Sequence, residues 1–222
     1  MARNYVAAAA AVVPVRPQLS RERIVAAALT LIDRDGLAAF SIRGLGAALG
    51  CEPMSIYHYF QSKAYLLDAL VDDALASVLT DPRDADPFDR LRALARSWRS
   101  LAHRHPNLFP LIAVHRLDTP IGVRFIEQAV RLVHAAIPDD RLAAQYFRVL
   151  GYFVTGAALD ETACDATGPS AAEGVDGPEW RERVFELGLE SLLDAMRAAS
   201  PAIGILETES LPAPKPVIRP KR

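Results

Sequence analysis

Residues 40–67 read FSIRGLGAALGCEPMSIYHYFQSKAYLL, and two short helical patterns in this stretch decide the fold. Ser41 can cap the first helix, because a serine hydroxyl accepts a hydrogen bond from the backbone N–H groups of a first turn. The apolar side chains Ile42, Leu45 and Leu49 then recur at the spacing of one helix face, and a glycine follows them. The pattern predicts one short helix that ends at that glycine.

The second pattern begins at Pro53, which suits a first helical turn because proline has no N–H to leave unpaired there. Ile56 and Phe60 follow one turn apart, so both can face back toward the first helix. The connection between the two helices is only Gly50-Cys51-Glu52. Two short helices joined by a tight turn that contains glycine predict a helix-turn-helix.

The outward side chains of this second helix suit a DNA groove. Hydroxyl and imidazole groups can donate to phosphates and base edges, and Pro53 and Met54 can contact thymine methyl groups. The outward set consists of Met54, Ser55, Tyr57, His58 and Tyr59. The surface helix of an ordinary α-helical domain is the alternative interpretation, and the pattern alone leaves both open.

Composition bounds the class of protein. The chain has 222 residues, of which 51% are hydrophobic, so it has enough apolar material to fold as a globular protein. Its formal net charge of −2 argues against a protein that coats nucleic acid by bulk positive charge, although a local site remains open. The two cysteines have no spacing typical of a zinc site, so we expect no metal and a reducing compartment. The apolar run over residues 6–15 is too short to span a membrane.

The rest of the chain repeats the helical period and lacks strand and hairpin signals, which predicts an all-α protein. Further helices are expected to begin near Ser20, Ser62, Phe88, Pro110, Pro120, Asp139 and Glu179. The predicted domains are a disordered leader over 1–18, the helix-turn-helix domain over 19–80, a larger helical domain over 81–200 and a disordered, Pro-rich basic tail over 201–222.

The stretch from Leu19 to Val78 resembles the DNA-binding domain of the tetracycline-repressor (TetR) family of bacterial regulators. The residues that carry the resemblance are Gly50, Ile56-Tyr57, Tyr59-Phe60, Ser62-Lys63 and Leu66-Leu67, all at the family's spacing. Residues 88–199 resemble the second domain of that family in helix pattern. The resemblance therefore implies an N-terminal homeodomain-like helix-turn-helix domain followed by a larger helical domain that binds a ligand and dimerises.

The resemblance also implies roles for single residues. Ser41 matches a phosphate contact, and Arg43 matches a position that can reach a guanine edge, for which the forked guanidinium is well shaped. His58 stands at a variable position that can contact either a base or a phosphate. The remaining matches are the base-reading positions Pro53, Met54 and Ser55 and the phosphate clamps Tyr57, Tyr59 and Lys63.

For the larger domain, the candidates for an effector pocket combine aromatic walls with a few polar tips. They are Trp98, His103, Phe109, His115, Phe125 and Phe153. Two helices with small or apolar stripes are candidates for a dimer interface, the alternative being that both are buried in their own subunit. The interface candidates are Phe147, Gly151, Val154, Thr155, Ala158, Thr162, Val184, Leu187, Gly188, Ser191, Leu192 and Ala195.

The function implied is a dimeric, ligand-responsive repressor of the bacterial cytoplasm that binds a palindromic operator in double-stranded DNA and is released by a small, partly hydrophobic effector. No cofactor is expected. An architectural DNA-binding protein without an effector is the first alternative, and a helical enzyme is the second. Enzyme motifs are missing from the sequence, and Asp160-Glu161 is interpreted as a solvated helix face. His103 and His105 are interpreted as a surface pair, since neighbouring helix positions point in different directions.

Gly44 and Gly46 depart from the family pattern, which more often has a bulkier residue and an alanine there. An interior helical glycine costs about 0.5 to 1 kcal/mol relative to alanine. The sequence therefore predicts that Gly46→Ala stabilises the protein.

Overall fold

The computed structural model describes residues 18–79, 85–167 and 177–200, and all the regular secondary structure in these ranges is α-helical. This confirms the all-α class. The helices are α1 (Arg21–Asp35), α2 (Ile42–Leu49), α3 (Pro53–Tyr57), α4 (Lys63–Ala76), α5 (Pro87–Arg104), α6 (Phe109–Val114), α7 (Pro120–Ala136), α8 (Asp140–Thr167) and α9 (Pro178–Ala199). No helix in the described ranges combines the length and the apolar character that a membrane span requires.

The chain divides into two units, Met1–Leu67 and Asp68–Arg222. The division falls inside α4, whereas the sequence suggested a boundary at the Asp- and Pro-rich segment after residue 80. α4 is one helix whose first turn belongs to one unit and whose remainder belongs to the other. The predicted tail over 201–222 and nearly all of the leader lie outside the described residues.

Side-chain caps and glycines set the helix ends of the first unit. The Ser20 and Ser41 hydroxyls accept the N–H groups of Arg23 and Gly44, so both predicted N-caps are present. Gly50 ends α2 in the left-handed conformation, with φ of 68°, which a residue with a side chain rarely adopts. The Ser41 cap and Gly50 therefore determine where α2 begins and where the turn of the helix-turn-helix follows it.

The third helix is shorter than the sequence suggested. α3 ends at Tyr57, and the N–H groups of Tyr59 and Phe60 both bond to the carbonyl of Ile56, which turns the chain out of the helix. Ile56 and Phe60 are nevertheless both buried, as predicted. His58 and Tyr59 therefore lie on a turn after the recognition helix and not on the helix itself.

Gly46 is the point of closest approach in the helix-turn-helix. A Cβ built on Gly46 lies 2.9 Å from the carbonyl oxygen of Cys51 and 3.4 Å from the nitrogen of Pro53. Both neighbours are backbone atoms, so a methyl group here must displace the turn. The assignment of Gly46 to a helix interior is right, but the structure favours a loss of stability for Gly46→Ala and not the predicted gain, because backbone atoms fill the space that alanine needs.

The second unit contains the larger part of α4 and the helices α5 to α9, and α5 packs against α7, α8 and α9. Fully buried apolar side chains such as Leu101, Phe109, Phe185 and Leu189 form its core. The Asp139 carboxylate caps α8 through the N–H of Leu142 at 2.7 Å, as its sequence position predicts. Between α5, α6, α7 and α8 this core leaves a cavity.

Candidate functional sites

The start of α2 and the length of α3 present exposed side chains in the first unit. Met54 is 67% exposed and Tyr57 is 40% exposed, and His58 is also exposed. Pro53 and Ser55 are half-buried beside them, and Arg43 is exposed on α2. Large side chains that a well-packed helix pair leaves exposed to water are available to contact a binding partner.

Ser41 serves both the fold and the surface. Its hydroxyl oxygen accepts the N–H of Gly44 at 3.1 Å, and this leaves the hydroxyl proton free to donate. Ser41 is exposed at the N-terminus of α2, where the N–H groups of a first turn favour an anion. Its predicted phosphate contact is compatible with its capping role.

Two predicted phosphate clamps have structural partners inside the unit. The Tyr59 hydroxyl donates to the carbonyl of Leu19 at 2.7 Å, so its only proton is used within the protein. Lys63 donates to the carbonyl of Phe40 at 2.8 Å, which leaves two ammonium protons for another acceptor. Neither bond has a signal in the sequence, because both join positions far apart in the chain. Of the two, only Lys63 keeps a free donor for a phosphate.

In the second unit, a cavity of about 330 Å³ lies between the helices. Three of the predicted effector residues line it, namely Trp98, His115 and Phe125. The indole of Trp98 stacks on the ring of Phe125 at a centroid distance of 5.0 Å, so the two rings form an aromatic pair in the wall of the cavity. This volume falls at the lower end of the range for small-molecule sites, about 300 to 1,000 Å³.

The other three predicted effector residues, His103, Phe109 and Phe153, are not among the residues that line this cavity. Phe109 is fully buried and packs against Trp98 with a ring-centroid distance of 5.4 Å and an interplanar angle of 68°, so it supports the indole without lining the cavity. Phe153 stacks on Phe185 between α8 and α9, and His103 hydrogen-bonds to Glu161. Aromatic type alone could not separate core from lining, because both environments favour the same rings.

Several residues predicted for a dimer interface face their own unit. Phe147, Gly151 and Thr155 line the cavity, as does Val154. Val154, Ala158 and Thr162 are 8%, 0% and 6% exposed, so a partner has no access to them. This corrects the prediction: the small residues on this face of α8 bring helices of the same subunit together. The α9 candidates differ, since Val184, Leu187, Ser191 and Ala195 are exposed and Gly188 and Leu192 are half-buried.

The polar groups of the cavity are few and mostly engaged. The indole N–H of Trp98 donates to the Thr155 hydroxyl at 3.2 Å. The N–H of Leu117 donates to Nδ1 of His115 at 3.0 Å, so the ring proton must reside on Nε2, which faces Asp68 at 3.0 Å. Both ring nitrogens of His115 are therefore occupied by protein partners.

Arg148 and Tyr152 also line the cavity, and the sequence reasoning missed both. A guanidinium N–H of Arg148 donates to the Tyr152 hydroxyl at 2.8 Å, one helical turn along α8. Both side chains are exposed, which puts them at the solvent edge of the cavity. Their four-residue spacing places both side chains on one face of α8, but polar side chains at that spacing usually belong to a solvated helix face.

A cluster of charged side chains joins α5 to α8 and α9 within the same unit. Arg99 donates to the Glu161 carboxylate at 2.7 Å and also bonds to Glu182, while Nε2 of His103 lies 2.8 Å from Glu161. Glu161 is only 4% exposed, so it belongs to a buried ion pair and not to the solvated face predicted for it. His103 is likewise held by this carboxylate.

Two further arginines of α5 continue this cluster along α9. Arg92 pairs with Glu190, and Arg96 pairs with Glu186 at 2.7 Å. The hydrogen bond from Arg92 lowers the pKa of Glu190 below its usual value and raises the pKa of the guanidinium. A row of ion pairs therefore holds α9 against α5. In the described ranges, no three ligand-type side chains come together in a way that could hold a metal ion.

Two family profiles match this chain and decide its membership. The profile of bacterial regulatory proteins of the tetR family matches residues 24–70, and that of the tetracyclin repressor-like C-terminal domain matches residues 81–179. The chain belongs to the TetR family. The first TetR profile covers α1 to α3 and the start of α4, and the second covers the helices around the cavity.

Relatives and solved structures of TetR proteins agree with these two matches. The repressor DrrR1 of Streptomyces coeruleorubidus is 31% identical over 66% of this chain, but the chain spans only 55% of that relative's length. A single-residue variant of TetR from Acinetobacter baumannii, solved with minocycline, is 26% identical at a TM-score of 0.67, covering 82% of this chain and 99% of that one. BioQ, solved with its double-stranded DNA operator, is 26% identical at a TM-score of 0.65, again over 82% and 99%.

Proposed function

We propose that this protein is a dimeric transcriptional repressor that binds a palindromic operator through α2 and α3 and is released by a small molecule in the cavity. The observation that carries the proposal is the presence, in one chain, of an exposed helix-turn-helix face and an aromatic-lined cavity. A related TetR protein has been solved with a drug molecule and another with its operator. A target on the chromosome would place its action in the bacterial cytoplasm.

The DNA-binding role rests on the first unit. Arg43 and Met54 extend into solvent from α2 and from the start of α3. The resemblance implies that both residues read bases. Tyr57 and Lys63 supply donors for phosphates on either side. Residues 16–63 contain six basic and four acidic side chains, so one copy of the unit has little excess positive charge. Two copies double the phosphate contacts, which strengthens binding and steepens its salt dependence.

The second copy is proposed to pack on the exposed faces of α8 and α9. Leu187 is 70% exposed, Val184 is 43% exposed and Val149 is 44% exposed, and Leu187 and Val184 lie on one side of α9. Burying large apolar side chains of this kind is the main driving force of homodimer formation. A two-fold dimer with two recognition helices implies a palindromic site with half-sites about 34 to 36 Å apart.

The cavity supports a regulator over an architectural DNA-binding protein, because a protein that only bends or coats DNA has no use for an aromatic-lined cavity. An enzyme has no comparable support. The relatives are transcriptional regulators, and the polar groups at the cavity are few and mostly bonded to one another. We therefore assign the cavity to effector binding.

DNA selection tests the proposal directly. Duplexes are selected from a random pool with the full-length protein, and their affinity is then measured by fluorescence anisotropy. The expected result is an enriched palindrome with nanomolar-range affinity that Tyr57→Ala weakens equally on selected and random duplexes, since a phosphate contact carries no sequence information. Failure to enrich any sequence would contradict the operator-binding role.

The dimer is tested separately with a matched pair of variants. Leu187→Lys puts a charge on the proposed interface, and Val114→Lys puts the same charge on α6 at a residue that is 77% exposed. Light scattering after gel filtration should give a dimeric mass for the wild type and for Val114→Lys and a monomeric mass for Leu187→Lys. A dimeric Leu187→Lys protein would contradict the proposed interface.

A further inference from the structure

The geometry of the cavity points to the chemical class of its ligand. We infer that it takes a planar aromatic molecule that carries a negatively charged group, with the rings against Trp98 and Phe125 and the charge at Arg148. This inference rests on the proposed function and deepens it. Three features of the cavity support this ligand class. They are the aromatic wall of Trp98 and Phe125, the open space beside Gly151 on α8, and the positive charge of Arg148.

The aromatic wall consists of Trp98 and Phe125. Their ring planes differ by 20° and their centroids lie 5.0 Å apart, so the two rings are stacked. Because each ring covers one face of the other, a ligand ring can stack only on a face that this pair leaves uncovered. The Trp98 N–H is already bonded to Thr155, and Phe109 packs against the indole without lining the cavity. The wall is thus held in place on two sides. A rigid aromatic surface binds flat aromatic ligands well, because stacking buries both faces without ordering flexible groups.

The open space lies on α8. Gly151 lines the cavity, and a Cβ built on it meets no atom within 4 Å. The missing side chain leaves the helix backbone open toward the cavity between Arg148 and Thr155. These positions follow the three- and four-residue spacing of one helix face. A flat molecule can therefore lie along α8 where a larger residue would fill the space.

Among the described residues, no carboxylate pairs with the charge at the edge of the cavity. Among the described residues that line the cavity, Arg148 is the one arginine or lysine, and none is an aspartate or glutamate. Its partner is the neutral Tyr152, through the hydroxyl and the ring face. The arginines of α5 differ, since Arg92 and Arg96 each bind a carboxylate. A guanidinium without an anion beside an apolar cavity favours a carboxylate, sulfonate or phenolate ligand.

Thr155 offers a second polar contact at the other end of this helix face. Its oxygen accepts from Trp98, and among the described residues no acceptor is found for its own proton. Arg148 and Thr155 are separated by seven residues, or about 10 Å along the helix axis. The ligand is thus expected to have its anionic group at one end and a neutral acceptor, such as a carbonyl, toward the other.

Two fluorescent probes with the same ring system test this ligand class. 1-Anilinonaphthalene-8-sulfonate carries a negative charge, and N-phenyl-1-naphthylamine lacks the sulfonate. We expect the wild-type protein to bind the sulfonate at least tenfold more tightly than the neutral probe. Arg148→Met should weaken the sulfonate at least tenfold and leave the neutral probe unchanged. The control is Arg131→Met, an exposed arginine of α7 that does not line the cavity and should change neither affinity.

The outcomes separate this inference from the proposed function. Equal affinity of the wild type for both probes, or an unchanged preference in Arg148→Met, overturns the anionic ligand class while the cavity remains a binding site. Gly151→Leu should abolish binding of both probes, whereas Gly151→Ala should retain it. Absence of binding by either probe to the wild type, or full binding by Gly151→Leu, overturns the cavity as a ligand site and with it the proposed effector control.

Discussion

The two units of this TetR protein hold their functional side chains in opposite ways. In the first unit, Arg43, Met54 and Tyr57 extend from a helix pair whose packing they do not support. In the second unit, Trp98 and Phe125 are both less than a tenth exposed and take part in the core that surrounds the cavity. At these three exposed residues of the first unit function and stability are therefore separable, but in the second unit they depend on the same residues.

This difference has a physical origin. A DNA groove is read from outside, so its contacts must stay solvated until the complex forms. A small ligand is enclosed, so the groups that bind it must first be desolvated by the fold itself. Substitutions at the two sites should consequently have different signatures in stability and in binding.

The largest effect is expected at the buried charge beside the cavity helices. Glu161→Ala removes the carboxylate that holds Arg99 and His103 and leaves a mostly buried guanidinium with one exposed partner. Breaking a buried pair in this way costs about 3 to 5 kcal/mol of unfolding free energy. Urea denaturation measures it.

Glu182→Ala is the matched control for that change. It removes the second carboxylate that binds Arg99, and the side chain of Glu182 is 56% exposed. An exposed pair contributes at most about 1 kcal/mol. Equal losses for the two variants would contradict the distinction between a buried and an exposed partner.

Arg43→Ala comes next, and it should act on DNA binding alone. Loss of a forked contact to guanine should weaken binding to the selected duplex by about 1 to 3 kcal/mol and relax the preference at one base pair. The melting temperature should stay at the wild-type value, because Arg43 is exposed. An equal loss on selected and random duplexes would assign Arg43 to a phosphate.

Tyr57 and Tyr59, at and just after the end of α3, allow a DNA-binding role and a stabilising role to be tested separately within one unit. Tyr59→Phe removes the bond to the Leu19 carbonyl and should lower the unfolding free energy by about 1 kcal/mol. Tyr57→Phe removes a solvated hydroxyl and should leave stability unchanged while weakening DNA binding. The reverse pattern would restore Tyr59 as the phosphate clamp.

The smallest effect concerns the two glycines of α2. Gly44→Ala meets only the flexible Ser41 hydroxyl and should raise the unfolding free energy by about 0.5 to 1 kcal/mol. Gly46→Ala meets the backbone of Cys51 and should lower it. Thermal melts of both variants check the opposite signs, and a higher melting temperature for Gly46→Ala would show that the turn yields easily.

The sequence was most informative where the cause is local. The caps at Ser20, Ser41 and Asp139 and the turn at Gly50 depend on neighbouring residues, and all are present as predicted. The recognition surface follows from the same short stretch, although the early end of α3 at Tyr57 does not.

The cavity was less accessible to sequence reasoning because its walls come from four helices. Trp98 and Phe109 are both aromatic, and only the packing of α5 against α7 and α8 decides that one lines the cavity and the other does not. The buried charge of Glu161 has the same explanation, since its partner Arg99 is distant in the chain. The small residues on α8 suggested a dimer interface because close helix packing leaves the same sequence pattern whether the two helices belong to one subunit or to two.

Ligand binding in the cavity is proposed to lower the affinity of the protein for DNA. One titration measures this coupling. The affinity for the selected duplex is measured by anisotropy with and without saturating 1-anilinonaphthalene-8-sulfonate, for the wild type and for Gly151→Leu. We expect at least a fivefold loss of DNA affinity for the wild type, corresponding to a coupling of about 1 kcal/mol or more, and no change for Gly151→Leu, whose cavity is filled. An unchanged DNA affinity of the wild type with its cavity occupied would contradict the proposed coupling.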